Sequence, residues 1–251
     1  YTQRNSSAAS DVYKRQEYFG SIPSRPRPEQ PDISEPRQVK EKRASKADKL
    51  APRPALAVGY HVPPRNTPEY FAMGLLDQIL VQGRDSRLYQ ALVQQNGFTG
   101  DVSGGINLLG NMFNVDGPVL WTTSHMHDAE TPADEILKAF DAEIERLRSE
   151  PVDDATLELA KIKARSSFYD ELETMFGFGR ADLLASFALF DDDPGRINDL
   201  EAEFAKVTPE ILLATAQEYL RPTNRTILTI EPQPEDPPAA GANDGEGSEA
   251  S

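Results

Sequence analysis

The three histidines of this sequence are the residues best suited to bind a metal ion, and their spacing does not suit catalysis. His125 and His127 alternate, so on a strand both imidazoles would lie on one face and could share a metal ion. A hydrolytic zinc site needs three protein ligands and a carboxylate that takes a proton from bound water. Apart from Asp128, no nearby carboxylate has an obvious ligand spacing to the pair. We therefore predict a polar loop without specific metal binding there, and a partly exposed structural role for His61.

Two further groups of residues resemble functional sites only in part. Arg165 and Tyr169 are four residues apart on a predicted helix, where the acidic residues 170–171 favour surface ion pairing over substrate binding. The glycines at 104–105 do not lie between a strand and a helix, as they would in a nucleotide-binding loop, and no nucleophilic serine motif is present. The residues therefore predict no complete catalytic site.

Charge and composition exclude several classes of protein. The net charge is −15, and residues 54–232 carry 14 basic and 29 acidic side chains, so this part repels phosphate backbones and argues against nucleic-acid binding. Cysteine is absent, which excludes disulfides and thiolate metal sites. No apolar run reaches membrane-spanning length, and no signal peptide is visible.

Proline content divides the chain into a folded body and extended ends. Residues 21–54 contain seven prolines and few large apolar residues, and residues 232–251 are acidic and rich in proline and glycine. Such compositions bury too little apolar surface to fold. Residues 1–16 resemble translated sequencing-adapter sequence, and we treat them as an artefactual or disordered terminus. We assign 17–54 to the end of a missing domain and a linker, 55–231 to the folded domain, and 232–251 to a disordered tail.

Alternating apolar residues predict the first strand of the folded domain, whose inward-facing residues are Leu56, Val58, Tyr60 and Val62. Further strands are predicted from Phe98 to Asn107, from Phe113 and Val115 through Thr123 with a bulge at Gly117-Pro118, and from Arg225 to Glu231.

Helical spacing and capping residues predict helices between these strands. Thr67 caps a helix from Pro68 to Gln82. Ser86 caps a shorter helix that ends at Asn96-Gly97 and buries Leu88, Ala91, Leu92 and Gln95. Later helices are predicted to begin near Thr131 or Asp134, Pro151, Phe176 (with interruptions at Gly177 and Gly179), Asp193 and Thr208. The first of these has an apolar stripe at helical spacing: Ile136, Leu137, Phe140, Ile144 and Leu147. We predict an α+β fold, a mostly antiparallel sheet with helices packed on one face and completed by the last strand.

The run Gly83 to Phe98, GRDSRLYQALVQQNGF, carries a resemblance to a known family. Its order of helix, glycine, Ser-Arg-Leu-Tyr, helix, glycine and strand resembles the second half-domain of the insulinase/pitrilysin-type zinc metallopeptidases, which include mitochondrial processing peptidase. Residues 17–23, EYFGSIP, are similar to the Tyr-Phe-Gly-x-Ile-Pro run that closes the first half-domain. The resemblance implies that 55–231 is the C-terminal, non-zinc half-domain of such a protein and follows a missing first half.

The resemblance also implies where a substrate lies. Family members bind zinc through His-x-x-Glu-His in the first half, so we expect no cofactor in this chain and zinc in the missing half. The second half contributes an Arg and a Tyr seven residues apart, and counting on from Leu92 places them at Val93 and Gly100. Neither residue can donate the hydrogen bond that Arg or Tyr provides. We therefore predict no catalytic residue here, with Val93 and Gly100 facing the substrate.

Two functions of different classes follow from the resemblance. In the first, the chain is the inactive half of a zinc endopeptidase and helps to enclose and position extended peptide substrates for hydrolysis. Its expected partners are its own N-terminal half and a second subunit of the same fold that supplies Arg and Tyr. In the second, it is a structural or assembly subunit without peptidase activity, like the core proteins of a respiratory complex. Substrate and compartment stay open, with the bacterial periplasm or cell envelope as a working assumption.

Overall fold

The computed structural model of the protein describes residues 2–23, 25–26, 29, 31–32 and 34–233. The chain divides into two compact units, residues 1–33 and residues 34–251. The predicted tail 232–251 lies outside the described residues except for its first two.

Helix α1, Thr2–Phe19, is the main element of the first unit. Its described side chains, from Ser10 onward, are all exposed, including the ring of Phe19. The helix ends where the backbone N–H of Gly20 donates to the carbonyl of Gln16 (2.9 Å). Residues 2–16 of the predicted artefactual or disordered terminus lie in this helix. The described side chains of α1 are all exposed, so the helix has no apolar face, and the sequence showed no apolar periodicity that would have predicted it.

A five-stranded sheet organises the second unit. Its strands are β1 (Lys42–Asp48), β2 (Ala55–His61), β3 (Ser103–Ile106), β4 (Leu120–Met126) and β5 (Arg225–Pro232). They lie side by side in the order β1-β5-β2-β4-β3. Only the β1–β5 pair is parallel, and the other three pairs are antiparallel. The predicted mostly antiparallel sheet is confirmed, and β5 completes it from within, between β1 and β2.

The two faces of the sheet differ because only one is packed into the core. On that face Leu56, Val58 and Tyr60 are buried, as predicted, together with Trp121 of β4. Side chains on the alternating positions are small, polar or flexible and stay at least partly exposed: Ala55, Ala57, Thr122, Ser124, Met126 and Thr226. This alternation gives a sheet with helices on one side.

Strand β1 lies within the segment that composition assigned to a linker. Its residues from Lys42 to Ala47 are exposed, so it has no apolar face that a pattern could indicate. Backbone pairing with β5 holds it in register over its full length. Gln38, just before the strand, is buried, and its side-chain amide donates to the carbonyl of Arg225. The predicted linker 17–54 therefore contains an ordered edge strand.

In the described part of the second unit, five α-helices and three short helices accompany the sheet. They are α2 (Pro68–Leu80), a π-helix (Tyr89–Gln95), α3 (Ala133–Ser149), α4 (Asp154–Asp191), a 3-10 turn (Pro194–Asn198), α5 (Leu200–Ala205), α6 (Pro209–Tyr219) and a second 3-10 turn (Pro222–Asn224). The side chains of Thr67, Asp153 and Thr208 cap α2, α4 and α6 by accepting the N–H three residues later. Helix α3 buries Ile136, Leu137, Phe140, Ile144 and Leu147, the predicted stripe.

Helix α4 continues through the position where two glycines predicted an interruption. Glycine has low helix propensity, but burial of Leu183 and Phe187 beyond Gly179 favours continuation. A Cβ at Gly179 would overlap the carbonyl oxygen of Glu171, although residues eight apart on a straight helix lie about 12 Å from each other, so α4 is sharply bent between these two residues. The predicted helix from Phe176 is therefore joined to α4, with a bend where its glycines predicted an interruption.

A polar loop replaces the predicted beginning of the fourth strand. Phe113 and Val115 lie in this loop, and β4 begins only at Leu120. The Asn114 side-chain oxygen accepts from the backbone N–H of Asn111 (3.0 Å) and from the side chain of Asn107 (2.8 Å). Asparagine side chains that bond to nearby backbone compete with strand pairing, which explains the later start.

An ion cluster around a buried arginine joins the β1 side of the sheet to α3. The Arg225 guanidinium is buried and donates from Nε to Glu41 (2.6 Å) and from Nη1 and Nη2 to both carboxylate oxygens of Asp141. Its Nη1 also lies 3.4 Å from the Tyr60 hydroxyl. Burial alone would lower the pKa of Arg225, but its bonds to Asp141, Tyr60 and Glu41 raise it, so the side chain stays charged.

Candidate functional site

The segment between α2 and β3 holds the two positions predicted to face substrate. It begins at Gly83, whose positive φ (84°) turns the chain out of α2. Ser86 does not cap the following helix as predicted. Its hydroxyl is buried and donates to the carbonyl of Val81 (3.2 Å), and Leu88 at the N-cap makes no side-chain bond. Ser86 therefore fastens the turn to the end of α2.

Lys163 of α4 fixes the same turn from the opposite side. Its ammonium group donates to the carbonyls of Gln78 (3.1 Å) and Gln82 and to the carboxylate of Asp85 (3.0 Å). The carbonyls at a helix C-terminus have no partner within the helix, and a lysine satisfies them well. The turn after α2 is thus held by a neighbouring helix.

The helix that follows has π rather than α geometry. It spans Tyr89–Gln95 and buries Leu88, Ala91 and Leu92, as predicted. Gln95, predicted on the same buried face, is exposed. Because a π-helix has more residues per turn than an α-helix, a position chosen by α-helical spacing moves off the buried face.

Asn96 and Gly97 end this helix as predicted, through several bonds. Gly97 has a left-handed φ of 64°. The side-chain amide of Asn96 donates to the carbonyl of Ala91 (2.7 Å), and the backbone N–H of Phe98 donates to Leu92 (2.8 Å). These bonds satisfy the last carbonyls of the helix and direct the chain toward β3.

Val93 and Gly100 lie in different environments. Val93 is half-buried and packs against the core. Gly100 is exposed in a bend, and a Cβ at this position would meet no atom within 4 Å. Gly100 also lines a cleft of about 310 Å³, whose lining residues do not include Val93. Only one of the two predicted positions therefore borders this cleft.

The cleft beside Gly100 is polar. Arg84, exposed, and Tyr89, half-buried, line it together with Asp101, and the apolar part comes from Val81 and Val102. The side chains of Arg84 and Asp101 form no ion pair within the described part of the chain. The cleft therefore offers a guanidinium, a phenol hydroxyl and a carboxylate, which together can both donate and accept hydrogen bonds.

Sequence reasoning missed a buried carboxyl near the end of α2. Asp77 accepts from the Trp121 indole N–H (2.7 Å) and from the Gln82 amide (3.0 Å), which also donates to the carbonyl of Gly104 (3.1 Å). Burial raises the pKa of Asp77 to about 6, against the opposing effects of these bonds and of Lys163. The one available signal was an aspartate inside an otherwise apolar helix. Asp77 orients Gln82 at the edge of the sheet.

Both members of the predicted histidine pair are buried. His125 lies in β4 with its ring against Phe140 (centroids 6.0 Å apart), and His127 forms a bridge with Thr99 just beyond the strand. The predicted polar loop is therefore wrong, because strand pairing continues through this region. Burial lowers the pKa of His125 to about 4, so its ring is neutral at pH 7. His61 is half-buried.

The histidine pair does not form a zinc site. Nε2 of His125 lies 3.2 Å from the Thr123 hydroxyl, and Nδ1 of His127 lies 3.0 Å from the carbonyl oxygen of Asp128. Among the described residues, no three His, Asp or Glu side chains group closely enough to hold a metal ion. The residues present therefore do not fit zinc.

Arg165 and Tyr169, the other pair considered from sequence, have different partners. The Tyr169 hydroxyl donates to Glu201 of α5 (2.6 Å) rather than to its own helix neighbours. Arg165 lines a groove of about 370 Å³ between α4 and α5.

Within the residues that the structure describes, no helix has both the length and the apolar character needed to cross a membrane.

Comparison with known proteins identifies a family. The model of the peptidase M16 inactive domain matches residues 9–164, more than half of the chain. Among curated protein sequences, none matches this chain closely enough to show a relationship. The family resemblance deduced from the Ser-Arg-Leu-Tyr region is confirmed.

Solved structures share the fold. A protease from Helicobacter pylori superposes with a TM-score of 0.73 at 20% identity, covering 89% of this chain and 52% of that one. A peptidase M16 inactive domain from Pseudomonas fluorescens gives 0.68 at 19% identity, with coverages of 93% and 52%. An inactive peptidase domain from Bordetella parapertussis gives 0.61 at 23% identity, with coverages of 72% and 94%. The chain thus spans about half the length of the first two.

Proposed function

The chain belongs to the M16 peptidase family through its inactive domain, and from that premise we propose that it is the non-catalytic half of a zinc endopeptidase. In this role it helps to enclose extended peptides and to position them for hydrolysis by a zinc-bearing half. The metal chemistry belongs to that other half, since the histidines here do not fit zinc.

One observation carries this proposal. Gly100, which the family pattern places at the substrate, lies exposed at a polar cleft of about 310 Å³. A cleft with mixed donors and acceptors suits a peptide main chain, which presents both N–H and C=O groups. Val93 and Gly100 provide no side-chain donor, so we propose that a second subunit of the same fold supplies an Arg and a Tyr.

The test is reconstitution with a zinc-bearing M16 half-domain, encoded in the same reading frame or by a neighbouring gene. Cleavage of an unfolded peptide should require both components, because positioned donors and a held substrate lower the barrier for attack at zinc. The same half-domain mixed with an unrelated acidic protein is the control. Equal cleavage with and without this chain would contradict the proposal.

The second candidate is a structural or assembly subunit, and the missing donors at Val93 and Gly100 favour it. A scaffold should form a stable complex with its partner, seen by light scattering, and that complex should cleave no peptide even with zinc bound. Restoring both donors with Val93→Arg and Gly100→Tyr separates the candidates further. Activity that rises in the double variant supports a substrate-positioning role, whereas an unchanged inactive complex supports the scaffold.

A further inference from the structure

We infer that the acidic segment 234–251 of this chain docks on a lysine patch formed by Lys42 and Lys46 of β1. This patch lies at the opposite edge of the sheet from β3, so the docking does not depend on the proposed function. The charges of strand and segment support it, and so does the place where the chain leaves β5.

Both lysines of the patch lie on the face of the sheet that is not packed into the core. In the parallel ladder Lys42 lies opposite Thr226 and Lys46 opposite Ile230. These two positions of β5 alternate with Ile227, which is buried in the core. The lysine side chains are exposed, so a partner can reach them from solvent.

The lysines are the dominant charges on this part of the face. Their described neighbours on β1, β5 and β2 are uncharged: Ala44, Thr226, Leu228, Ile230, Ala55 and Ala57. Lys46 forms an exposed pair with Asp48 (3.1 Å), which contributes little. Among the described residues, no carboxylate forms an ion pair with Lys42. The patch is therefore positive, on a chain whose net charge is −15.

Arg43, between the two lysines in sequence, has partners within the fold. It lies on the other face of β1, where its Nε is 2.5 Å from Glu41 and its Nη1 is 3.5 Å from Asp134 of α3. The helix side of the strand thus receives carboxylates from the folded domain. On the open side, compensation has to come from elsewhere.

The segment that follows β5 has the complementary charge. Residues 234–251, PEDPPAAGANDGEGSEAS, contain no basic side chain and five carboxylates: Glu235, Asp236, Asp244, Glu246 and Glu249. The segment has no large apolar side chain to add to a core, and its three prolines have no N–H for a strand ladder. Opposite charge is therefore the property through which it binds β1.

The end of β5 brings the segment to the patch. Pro232 lies opposite Asp48, and the backbone N–H of Gln233 donates to the carbonyl of Asp48 (3.1 Å). The chain therefore leaves the sheet beside the end of β1. The distance from Asp48 back to Lys42 is about 20 Å along a strand, whereas a segment of this length can extend over about 60 Å. Covalent attachment gives the carboxylates an effective concentration of about millimolar, so that individually weak charge pairs can form.

Spin labelling of the 251-residue chain tests the docking. The chain has no cysteine, so Ser248→Cys provides a single attachment site for a nitroxide. At low salt the nitroxide should broaden the amide resonance of Ala44, between the two lysines, and leave that of Gly104 at the opposite edge sharp. At about 0.5 M salt the broadening at Ala44 should fall at least threefold, because salt screens exposed charges.

Two sets of variants separate charge from attachment. The first neutralises the segment without changing its length: Glu235→Gln, Asp236→Asn, Asp244→Asn, Glu246→Gln and Glu249→Gln. The second combines Lys42→Gln with Lys46→Gln. Each set should reduce the broadening at Ala44 about threefold or more, because the opposite charge is lost. Lys138→Gln, on the exposed surface of α3, is the matched control and should change it by less than about 20%.

Three outcomes overturn the inference. The first is equal broadening at Ala44 with the charged and the neutral segment, which would show that attachment alone brings the segment near. The second is broadening of an unlabelled ¹⁵N chain by spin-labelled ¹⁴N chains, which would place the segment on a second copy. The third is a sharp Ala44 resonance in every labelled form together with a shift on addition of free polyglutamate, which would assign the patch to a separate acidic partner.

Discussion

The two edges of the sheet are built in opposite ways. β1 exposes Lys42, Arg43 and Lys46 along its length. β3 at the other edge carries no charge and contains Gly104-Gly105. Like charges on an edge repel an approaching strand, whereas a glycine pair leaves the backbone accessible. One edge is therefore closed to additional strands and the other is left open.

A buried ionisable side chain also lies beside each edge, and the two differ in whether a partner of opposite charge balances them. On the β1 side, Arg225 has two carboxylate partners, Asp141 and Glu41. On the β3 side, burial raises the pKa of Asp77, and the bonds from the neutral donors Trp121 and Gln82 only partly offset that rise. The closed edge is anchored by ion pairs, and the open edge by a carboxyl that resists ionisation.

Removing the β1 anchor should give the largest effect. Arg225→Leu removes the charge-assisted hydrogen bonds to Asp141 and Glu41 and should lower the free energy of unfolding by about 3 kcal/mol, mainly through those lost bonds because both carboxylates remain partly exposed. Urea denaturation measures it. Arg180→Leu, on the exposed surface of α4, is the matched control and should change stability by less than about 0.5 kcal/mol. Equal losses in both variants would show that the cluster stabilises nothing.

The contribution of Asp77, the anchor on the β3 side, to stability should depend on pH. The pKa of Asp77 rises from 3.8 to about 6 on folding, so the folded state binds more protons between these values. Its contribution to the free energy of unfolding therefore falls by about 2–3 kcal/mol as pH increases from 4 to 6. The difference in stability between wild type and Asp77→Asn should change by this amount over that range.

Measuring the difference matters because His125 acts in the opposite direction. Its pKa falls from 6.5 to about 4 on folding, so its contribution to stability grows as pH rises through the same window. Comparing wild type with Asp77→Asn cancels this term. A difference that stays constant from pH 4 to 7 would contradict the assignment of a raised pKa to Asp77.

Adding a methyl group to Gly104 in the open edge, and for comparison to Gly100 before it, should show how closely each backbone position is packed. Gly104→Ala places a Cβ against the carbonyl of Thr122 and should destabilise the protein by about 1–3 kcal/mol. Gly100→Ala meets no atom within 4 Å and should be nearly neutral. Thermal unfolding of both variants provides the measurement. A stable Gly104→Ala variant would mean that β3 does not approach β4 as described.

The smallest effect is expected from the charges of the closed edge. Lys46→Val removes one of them, along with an exposed pair to Asp48 (3.1 Å), and should alter stability by less than about 0.5 kcal/mol. It should, however, increase self-association, which sedimentation velocity detects. A variant as monomeric as wild type at high concentration would show that charge does not protect this edge.

Sequence reasoning succeeded where burial follows a period. The inner residues of α3 and β2 were predicted individually, because apolar side chains recur at helical or strand spacing. It failed for β1, whose exposed side chains have no such period and whose order comes from backbone pairing alone. It also failed in the loop before β4, where a strand was predicted but asparagine side chains form the hydrogen bonds in place of strand pairing.

The candidate site was predictable only in part, for similar reasons. Gly100 was found through the Ser-Arg-Leu-Tyr resemblance and lies at a cleft, but Val93 packs partly into the core. The link from Asp77 through Gln82 to Gly104 spans residues 77 to 104 and appears only when the chain folds. Such contacts depend on tertiary geometry, which spacing along the chain does not encode.

The parallel pairing of β1 with β5 has a mechanical consequence. Lys42 lies opposite Thr226 and Asp48 opposite Pro232, so the chain enters this pair at one end and leaves it at the other. A force that pulls the segment before β1 away from the segment after β5 slides the two strands along each other. All their hydrogen bonds then share the load at once instead of opening in turn. When tension is applied through the segment before β1, the β1–β5 pair is loaded in shear, the direction in which paired strands resist force most strongly.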